Sequence, residues 1–238
     1  MRRALALALL LGCGTTAHHD AVRTSTTPPA LASEAPQPVA VRINHSYEGK
    51  RAQDWGSFER EGREVFDHRD EILGALAITP GTRIADVGAG TGLFTLAFAR
   101  AVGEGGLVYA IDVRTYFLEH IAARAREQAL ANVKPVLADQ RHTGLAAQTI
   151  ELAFLCDAYH HLELPRTYLA DLHRALVERG RLVVIDYDRT RPGTSAWMKD
   201  HVRADPDAFR SEIEAAGFRL VAAPALLREN FVMVFERT

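Results

Sequence analysis

The chain lacks several features that would assign it to a class at once. It has two cysteines in 238 residues, Cys13 and Cys156, which are too few for a disulfide framework. It has no block of basic residues and a formal net charge of −2, so nothing indicates a nucleic-acid surface. The remainder, 47% hydrophobic and 24% charged, suits one domain of about 150–200 residues with extensions.

The apolar run at the N-terminus, residues 4–11, is too short to span a bilayer, which takes about 20 residues. It follows Arg2-Arg3 and ends in Leu10-Leu11-Gly12-Cys13, which resembles a bacterial lipobox. We therefore expect residues 1–13 to be a signal peptide with a lipid anchor at Cys13, placing the protein on the periplasmic face of a membrane. A wrongly assigned start or a plain apolar leader is the alternative, and the protein would then be cytoplasmic.

Two segments separate this leader from the main body. Residues 14–42 are rich in Thr, Ser, Ala and Pro, and we expect a flexible linker, with His18-His19 as a solvated pair. Residues 43–80 should form a lid and helix segment that ends at Pro80-Gly81. We expect its aromatic residues to close part of a pocket. We expect the arginines of its helix to be solvated, with binding of an anionic substrate as the alternative. These side chains are Tyr47, Trp55, Phe58, Arg63 and Arg69.

From residue 81 to 238, apolar strand-like segments alternate with helical ones. The predicted strands are residues 83–87, 107–111, 133–138, 150–156, 181–187, 218–222 and 231–235, and the predicted helices are residues 93–101, 114–129, 164–177 and 207–216. Such alternation predicts an α/β, doubly wound parallel sheet with helices on both faces. The last two strands have no helix between them, so we expect an antiparallel hairpin. Gly180 is expected to end the helix before the fifth strand.

A glycine loop follows the first strand and points to a ligand site. Gly88, Gly90 and Gly92 precede an apolar helix, and a ligand could lie against their backbone. A phosphate loop needs a lysine after the last glycine, and a dinucleotide loop needs a third glycine at position 93, where Leu93 stands. The third interpretation is a nucleoside ligand. Asp112, after the second strand, would accept hydrogen bonds from both of its ribose hydroxyls.

These and later motifs together resemble the class I S-adenosylmethionine-dependent methyltransferases, over about residues 63–238. The motifs are Asp86-Val-Gly-Ala-Gly-Thr-Gly92, Asp112, Ala138-Asp139-Gln140, Asp157-Ala-Tyr-His-His161-Leu and Leu172-His-Arg-Ala-Leu-Val-Glu-Arg-Gly-Arg-Leu182. Arg179 departs from the Gly-Gly usual in that family. The resemblance implies a seven-stranded Rossmann-like methyltransferase sheet of strand order 3-2-1-4-5-7-6, with strand 7 antiparallel.

The resemblance also implies S-adenosyl-L-methionine as cofactor and a set of residues that bind it. The loop would lie along the methionine part, with Asp86 in support, and Asp112 would hold the ribose. The full predicted set is Asp86, Gly88, Ala89, Gly90, Gly92, Asp112, Val113, Asp139, Gln140 and Cys156. Within it, Asp139 and Gln140 would lie near the adenine, and Cys156 would line the floor beside the sulfonium.

Methyl transfer from a sulfonium mainly needs alignment, and a protic acceptor also needs a base. The candidate catalytic residues follow the fourth strand: Asp157, Tyr159, His160 and His161. A histidine suits the base role, although either could instead bind backbone. Asp157 could serve the pocket or support its loop. Adjacent residues in an extended turn point apart, so we expect no metal shared by the histidine pair, which would also need His201 and His45.

We therefore expect a methyltransferase acting on a small-molecule acceptor. A catalytically silent, lipid-anchored binding module and a nucleotide-dependent oxidoreductase are the alternatives. Only residues 43–58 and 187–205 offer material for a specificity pocket, and their aromatic side chains favour a flat or apolar acceptor. The sequence leaves the acceptor atom and the oligomeric state open.

Overall fold

The computed structural model describes residues 34–238, except the side chain of Gln53. The predicted signal peptide, the lipobox and the linker as far as residue 33 lie outside this part of the chain. No helix within the described part is long and apolar enough to cross a membrane.

Seven strands form one sheet in the order β3-β2-β1-β4-β5-β7-β6. They are β1 Arg83–Val87, β2 Leu107–Asp112, β3 Val133–Leu137, β4 Ile150–Cys156, β5 Leu176–Tyr187, β6 Phe218–Ala222 and β7 Asn230–Arg237. β7 runs antiparallel to both β5 and β6, and the other pairings are parallel. The predicted fold class, strand order and antiparallel seventh strand are confirmed.

Eight α-helices surround the sheet within residues 34–238. They are α1 Pro38–Asn44, α2 Glu64–Asp67, α3 Arg69–Leu76, α4 Leu93–Val102, α5 Thr115–Glu127, α6 Pro165–Ala175, α7 Ala196–His201 and α8 Pro206–Ala215. Three short 3₁₀ segments also lie in this part of the chain, at His45–Tyr47, Ala52–Glu59 and Tyr159–His161. The first two of these belong to the segment predicted as a lid, and the third follows β4 at the predicted catalytic residues.

Two apolar layers cover the two faces of the sheet. Along β4, Leu152 and Phe154 belong to one core cluster, whereas Ala153 and Leu155 belong to the other. Successive residues of a strand point to opposite faces, so a strand buried on both faces is apolar throughout. This covered sheet provides a rigid frame, and its carboxyl edge presents the loops that carry the predicted site residues.

Two sequence-based boundaries are wrong. The predicted linker ends early, because Pro38 begins α1, Ala40 is buried, and the Gln37 amide donates to the Glu163 carbonyl at 2.8 Å. The helix before β5 ends at Ala175, so Gly180 lies inside the strand rather than at a helix end. That part of β5 is irregular, since its register with β4 shifts near Ile150.

Candidate active site

The glycine loop joins β1 to α4, and all three of its glycines have positive φ, 70° at Gly88, 53° at Gly90 and 89° at Gly92. A Cβ on Gly88 would lie 2.6 Å from the Cβ of Ala158. The amides of Gly88 and Ala89 donate to the Ile111 carbonyl of β2 at 2.8 and 3.0 Å. The loop is therefore fixed against the end of β2, with its other face toward a cavity.

Gly92 has a different role from the other two glycines. It is the N-cap of α4, and a Cβ there would lie 2.8 Å from Cγ1 of Ile121 on α5. It is absent from the residues that line the cavity, whereas Gly88, Ala89 and Gly90 line it. A direct contact between Gly92 and the cofactor stays a prediction. The small size of Gly92 lets α5 approach the loop.

Asp86 is buried beneath the loop and accepts a 2.5 Å hydrogen bond from the hydroxyl of Thr95 on α4. Burial raises the pKa of Asp86 to about 7, although the Thr95 hydroxyl opposes the shift. The carboxyl group thus joins β1 to the helix that follows the loop. This geometry suits the predicted supporting role.

Asp112 ends β2 beside the loop. Its Oδ2 accepts from the Gly90 amide at 3.0 Å and its Oδ1 from the Arg114 amide at 2.9 Å. Burial raises the pKa of Asp112 to about 6, with these amides opposing the shift. Each carboxylate oxygen has two lone pairs, so one acceptor position on each oxygen is left for a ligand. The side chain is thereby oriented for a pair of hydroxyl groups.

The remaining predicted cofactor residues also line the cavity: Val113, Asp139, Gln140 and Cys156. Asp139 is exposed, and its Oδ1 accepts from the amides of Arg141 and His142, which lowers its pKa. Burial raises the pKa of the Cys156 thiol well above its usual range, so this group is uncharged. Their contacts with an adenine or a sulfonium stay predictions.

Asp157 lies at the end of β4 with a φ of 50°, a left-handed conformation that is uncommon outside glycine. Its Oδ2 accepts from Arg63 Nη2 and its Oδ1 from Asn230 Nδ2, both at 2.6 Å. Burial raises the pKa of Asp157, and the Arg63 guanidinium opposes this. These partners are side chains from two other segments, one of them a largely buried guanidinium, so the geometry favours the alternative in which Asp157 supports its loop.

Tyr159 was predicted to be catalytic, but the structure places it in the core. Its side chain is fully buried, its ring packs edge-on against Phe209 at 4.9 Å, and its hydroxyl donates to Glu212 at 3.1 Å. It is not among the residues that line the cavity. The 3₁₀ turn directs this residue into the core between β4 and α8, whereas its two neighbours face the cavity.

His160 and His161 both line the cavity, on the same turn. His160 is buried, with Nδ1 2.7 Å from Asp186 Oδ1. His161 Nδ1 lies 2.8 Å from Asn44 Oδ1. Burial and the neighbouring imidazoles lower the pKa of His161 well below its usual range, so its ring is neutral. A neutral imidazole that donates from Nδ1 offers Nε2 as a base.

The expectation that these two rings point apart is wrong. The turn is a 3₁₀ helix rather than extended, and the ring centroids of His160 and His161 lie 4.2 Å apart. His201, the last residue of α7, completes a cluster with centroid distances of 5.1 Å to His160 and 5.7 Å to His161. His45, by contrast, is exposed and pairs with Glu48.

The segment predicted as a lid lies against the loop. Tyr47 stacks on Trp55 with 4.3 Å between ring centroids, and Tyr47 meets His161 edge-on at 5.4 Å. Phe58 packs on the loop, since a Cβ on Gly90 would lie 3.4 Å from its ring. These three aromatic side chains form one wall of the cavity.

Sequence reasoning missed the polar groups that hold this segment in place. Arg63 was expected to be solvated, but its side chain is only 19% exposed and pairs with Asp157. Asn44 donates from Nδ2 to the His161 carbonyl at 3.0 Å, and Arg114 donates to the Asn44 carbonyl at 3.0 Å. No spacing in the sequence links residues more than 60 positions apart. The only local signal for the role of Arg63 was its position at the start of a helical pattern, and that pattern does not indicate a partner.

The cavity has a volume of about 560 Å³, which is in the range of small-molecule sites. One end is formed by the glycine loop and Asp112. The other end is formed by the histidine cluster together with Trp197 and Met198. The site therefore brings the glycine loop, Asp112 and the histidine cluster to one cavity.

Residues 84–180 match the family model described as "Methyltransferase domain". A demethylmenaquinone methyltransferase of a Geobacillus species is 25% identical over 118 residues, 50% of either chain. A ubiquinone/menaquinone biosynthesis C-methyltransferase, UbiE, of Haemophilus ducreyi is 26% identical over 113 residues, 47% of this chain and 44% of its own. The chain thus spans about half the length of these curated relatives.

Among solved structures, an S-adenosylmethionine-dependent methyltransferase from Aquifex aeolicus superposes with a TM-score of 0.71 at 22% identity. The match covers 79% of this chain and all of that one. At that identity the likeness speaks for the fold, which agrees with the observed strand order. The sheet therefore has the fold of that methyltransferase, and residues 84–180 within it match the methyltransferase-domain model.

Proposed function

We propose that this protein transfers the methyl group of S-adenosylmethionine to a small-molecule acceptor. The observation that carries the proposal is the hydrogen bond from the Gly90 amide to Asp112, which holds a carboxylate suited to ribose hydroxyls against a glycine loop. The methionine part would lie along Gly88 and Ala89, and the adenine would lie toward Val113 and Gln140.

An aromatic acceptor is favoured by the aromatic lining of the cavity. Tyr47, Trp55, Tyr187 and Trp197 supply flat apolar surfaces, and His161 supplies a polar edge. The curated relatives carry names of enzymes that methylate quinone precursors. A planar aromatic molecule, such as a hydroquinone or a phenol, is therefore the proposed class of acceptor.

The chemistry is an in-line displacement. The lone pair of the acceptor atom forms the new bond to the methyl carbon while the carbon–sulfur bond breaks and its electrons stay on sulfur. The sulfonium thereby becomes the neutral thioether S-adenosylhomocysteine. The protein mainly aligns the two molecules and excludes water, and the aromatic wall of Tyr47, Trp55 and Phe58 suits this. The proton of a protic acceptor would be taken up at the histidine cluster.

Transfer of a tritiated methyl group from S-adenosylmethionine by the full chain tests this function. The acceptor panel should contain hydroquinones, phenols and, as a matched set, saturated alcohols of similar size. We expect labelled product and S-adenosylhomocysteine with the aromatic acceptors and not with the saturated set. Cofactor binding without transfer to any of them would contradict the proposal and favour the silent binding module.

The position of the protein in the cell is a separate proposal. We infer from the order of Arg2-Arg3, the apolar run and Leu10-Leu11-Gly12-Cys13 that Cys13 carries a lipid anchor at the periplasmic face of the membrane. Labelling of bacteria with a radioactive fatty acid tests it. Label is expected on the wild-type protein and not on Cys13→Ser. Equal labelling of both proteins would contradict the proposed lipid anchor.

A further inference from the structure

Three histidine side chains meet at one point of the cavity wall. His160 and His161 come from the turn after β4, and His201 comes from the end of α7. One ring nitrogen of each can be chosen so that the three atoms lie within 4.8 Å of one another. All three residues line the cavity, so this point is open to a small molecule.

The hydrogen bonds of His160 fix which of its nitrogens is free. Its Nδ1 lies 2.7 Å from Asp186 Oδ1, and the side chain of Asp186 is fully buried. A carboxylate only accepts, so Nδ1 carries a proton, and in the neutral ring Nε2 carries the lone pair. That Nε2 is buried and has no hydrogen-bond partner in the described part of the chain. A buried polar atom without a partner destabilises the folded protein, and a bound cation would offset this.

His161 is oriented in the same way by Asn44. The amide nitrogen of Asn44 donates to the His161 carbonyl and to Glu163 Oε1, so its Oδ1 is the atom that faces His161 Nδ1 at 2.8 Å. Nδ1 therefore donates, and Nε2 again carries the lone pair. Histidines that ligate metals characteristically donate their other ring nitrogen to a carboxylate or a carbonyl oxygen in this manner.

We propose that His160, His161 and His201 bind a divalent transition metal, with Zn²⁺ as the natural occupant and an open coordination position facing the cavity. Imidazole nitrogens suit Zn²⁺, and three protein ligands with one open position are typical of catalytic zinc. Bonds of 2.0–2.1 Å place the nitrogens about 3.4 Å apart. The ring nitrogens lie within 4.8 Å of one another, so binding would draw them together by at most about 1.4 Å.

Such a metal would deepen the proposed function, on which this step rests. An acceptor hydroxyl at the open position would bind through oxygen and lose its proton more readily, because a bound Zn²⁺ lowers the pKa of a hydroxyl group. The oxygen lone pair would then attack the methyl carbon as described above. With the metal bound, the three imidazoles would be ligands, and the proton of the acceptor would be released to water instead of being taken up by one of them.

Cobalt binding to the metal-free full chain tests the site without any methyl transfer. His18 and His19 are replaced by Asn in every sample, which removes a competing histidine pair from the linker. Co²⁺ should bind with a stoichiometry of one, produce visible d–d absorption, and be displaced by Zn²⁺. His201→Ala and His201→Gln should each weaken Co²⁺ binding at least 100-fold. The matched control His68→Ala, on an exposed histidine that pairs with Glu71, should leave Co²⁺ binding unchanged.

A second variant tests the orientation of the ligands. Asn44→Ala leaves all three imidazoles in place but removes the partner of His161, and such changes typically cost 10–100-fold in metal affinity. Wild-type protein without d–d absorption, or His201 variants that bind Co²⁺ as well as wild type, would overturn the metal site. Since S-adenosylhomocysteine binding is measured separately, failure of the metal site and failure of the proposed function are distinguishable.

Discussion

Arg63, just before α2, and Asp157, at the end of β4, form an ion pair with 2.6 Å between Nη2 and Oδ2. The two side chains are only 19% and 8% exposed. Arg63 also donates from Nη1 to the Phe58 carbonyl, and Phe58 packs on the glycine loop. The pair therefore joins the N-terminal segment to the sheet at the proposed cofactor site.

Arg63→Ala should lower the free energy of unfolding by about 3–5 kcal/mol, because it leaves the Asp157 carboxylate buried without its cation. Urea denaturation measures the change. The control is Arg219→Ala, which breaks an exposed pair with Glu236 and should cost less than about 1 kcal/mol. Equal effects of the two substitutions would show that the Arg63 pair contributes no more than a surface pair.

Gly88→Ala should both destabilise the protein and abolish cofactor binding. The new Cβ would meet the Cβ of Ala158 at 2.6 Å, and the φ of 70° is unfavourable for alanine, so we expect a loss of about 2–5 kcal/mol. Gly74→Ala, a helical glycine of α3 with open space around it, is the matched control and should be neutral or stabilising by up to about 1 kcal/mol. Normal thermal stability of Gly88→Ala would contradict the packing described for the loop.

Asp86 should make stability depend on pH. Its pKa is about 7 in the folded protein against an ordinary value of 3.8, so between these two values the folded protein keeps a proton that the unfolded chain has lost. The free energy of unfolding must therefore fall as pH rises through this window, by up to about 4 kcal/mol, and level off above it.

Asp86→Asn removes this titration while the Thr95 hydroxyl keeps an acceptor. Its stability should fall less steeply with pH than that of wild type between about pH 4 and pH 8, with Asp112 still contributing a smaller slope in both proteins. Urea denaturation at several pH values gives the two slopes. Parallel curves for the two proteins would show that the pKa of Asp86 is not raised.

Tyr159→Phe separates a structural tyrosine from a catalytic one. The substitution removes a hydrogen bond to Glu212, which keeps its bidentate pairing with Arg203, so we expect a loss of about 1 kcal/mol. Methyl transfer should keep its wild-type rate at a temperature where both proteins are folded. A large fall in kcat without loss of stability would contradict the structural role and indicate that Tyr159 takes part in catalysis.

The sheet was predictable from sequence because its signals are local. Apolar strands, the glycine loop and Asp112 at a strand end each lie within a few residues of one another, and their order determines the topology. The composition of residues 34–42 hid a short helix, since proline at a first helical position resembles linker proline. Gly180 was mistaken for a helix end because a glycine inside an irregular strand gives the same local pattern.

The acceptor end of the site was less predictable, because it depends on contacts between distant residues. Asn44 orients His161 across 117 positions, and Arg63 pairs with Asp157 across 94. His201 joins the other two histidines only through the position of α7. The sequence does not distinguish a 3₁₀ turn from an extended turn, and the two direct successive side chains differently. Tyr159 was therefore assigned to the cavity, whereas the 3₁₀ turn directs it into the core.

Calorimetric titration with S-adenosylhomocysteine tests the central claim, that the glycine loop and Asp112 hold this cofactor. Wild-type protein should bind one equivalent. Asp112→Ala should weaken binding by about 100-fold or more, because two hydrogen bonds to a carboxylate are lost. The control Asp70→Ala, which removes an exposed carboxylate of α3 outside the cavity, should leave binding unchanged. No binding by wild type, or equal binding by Asp112→Ala, would contradict the account.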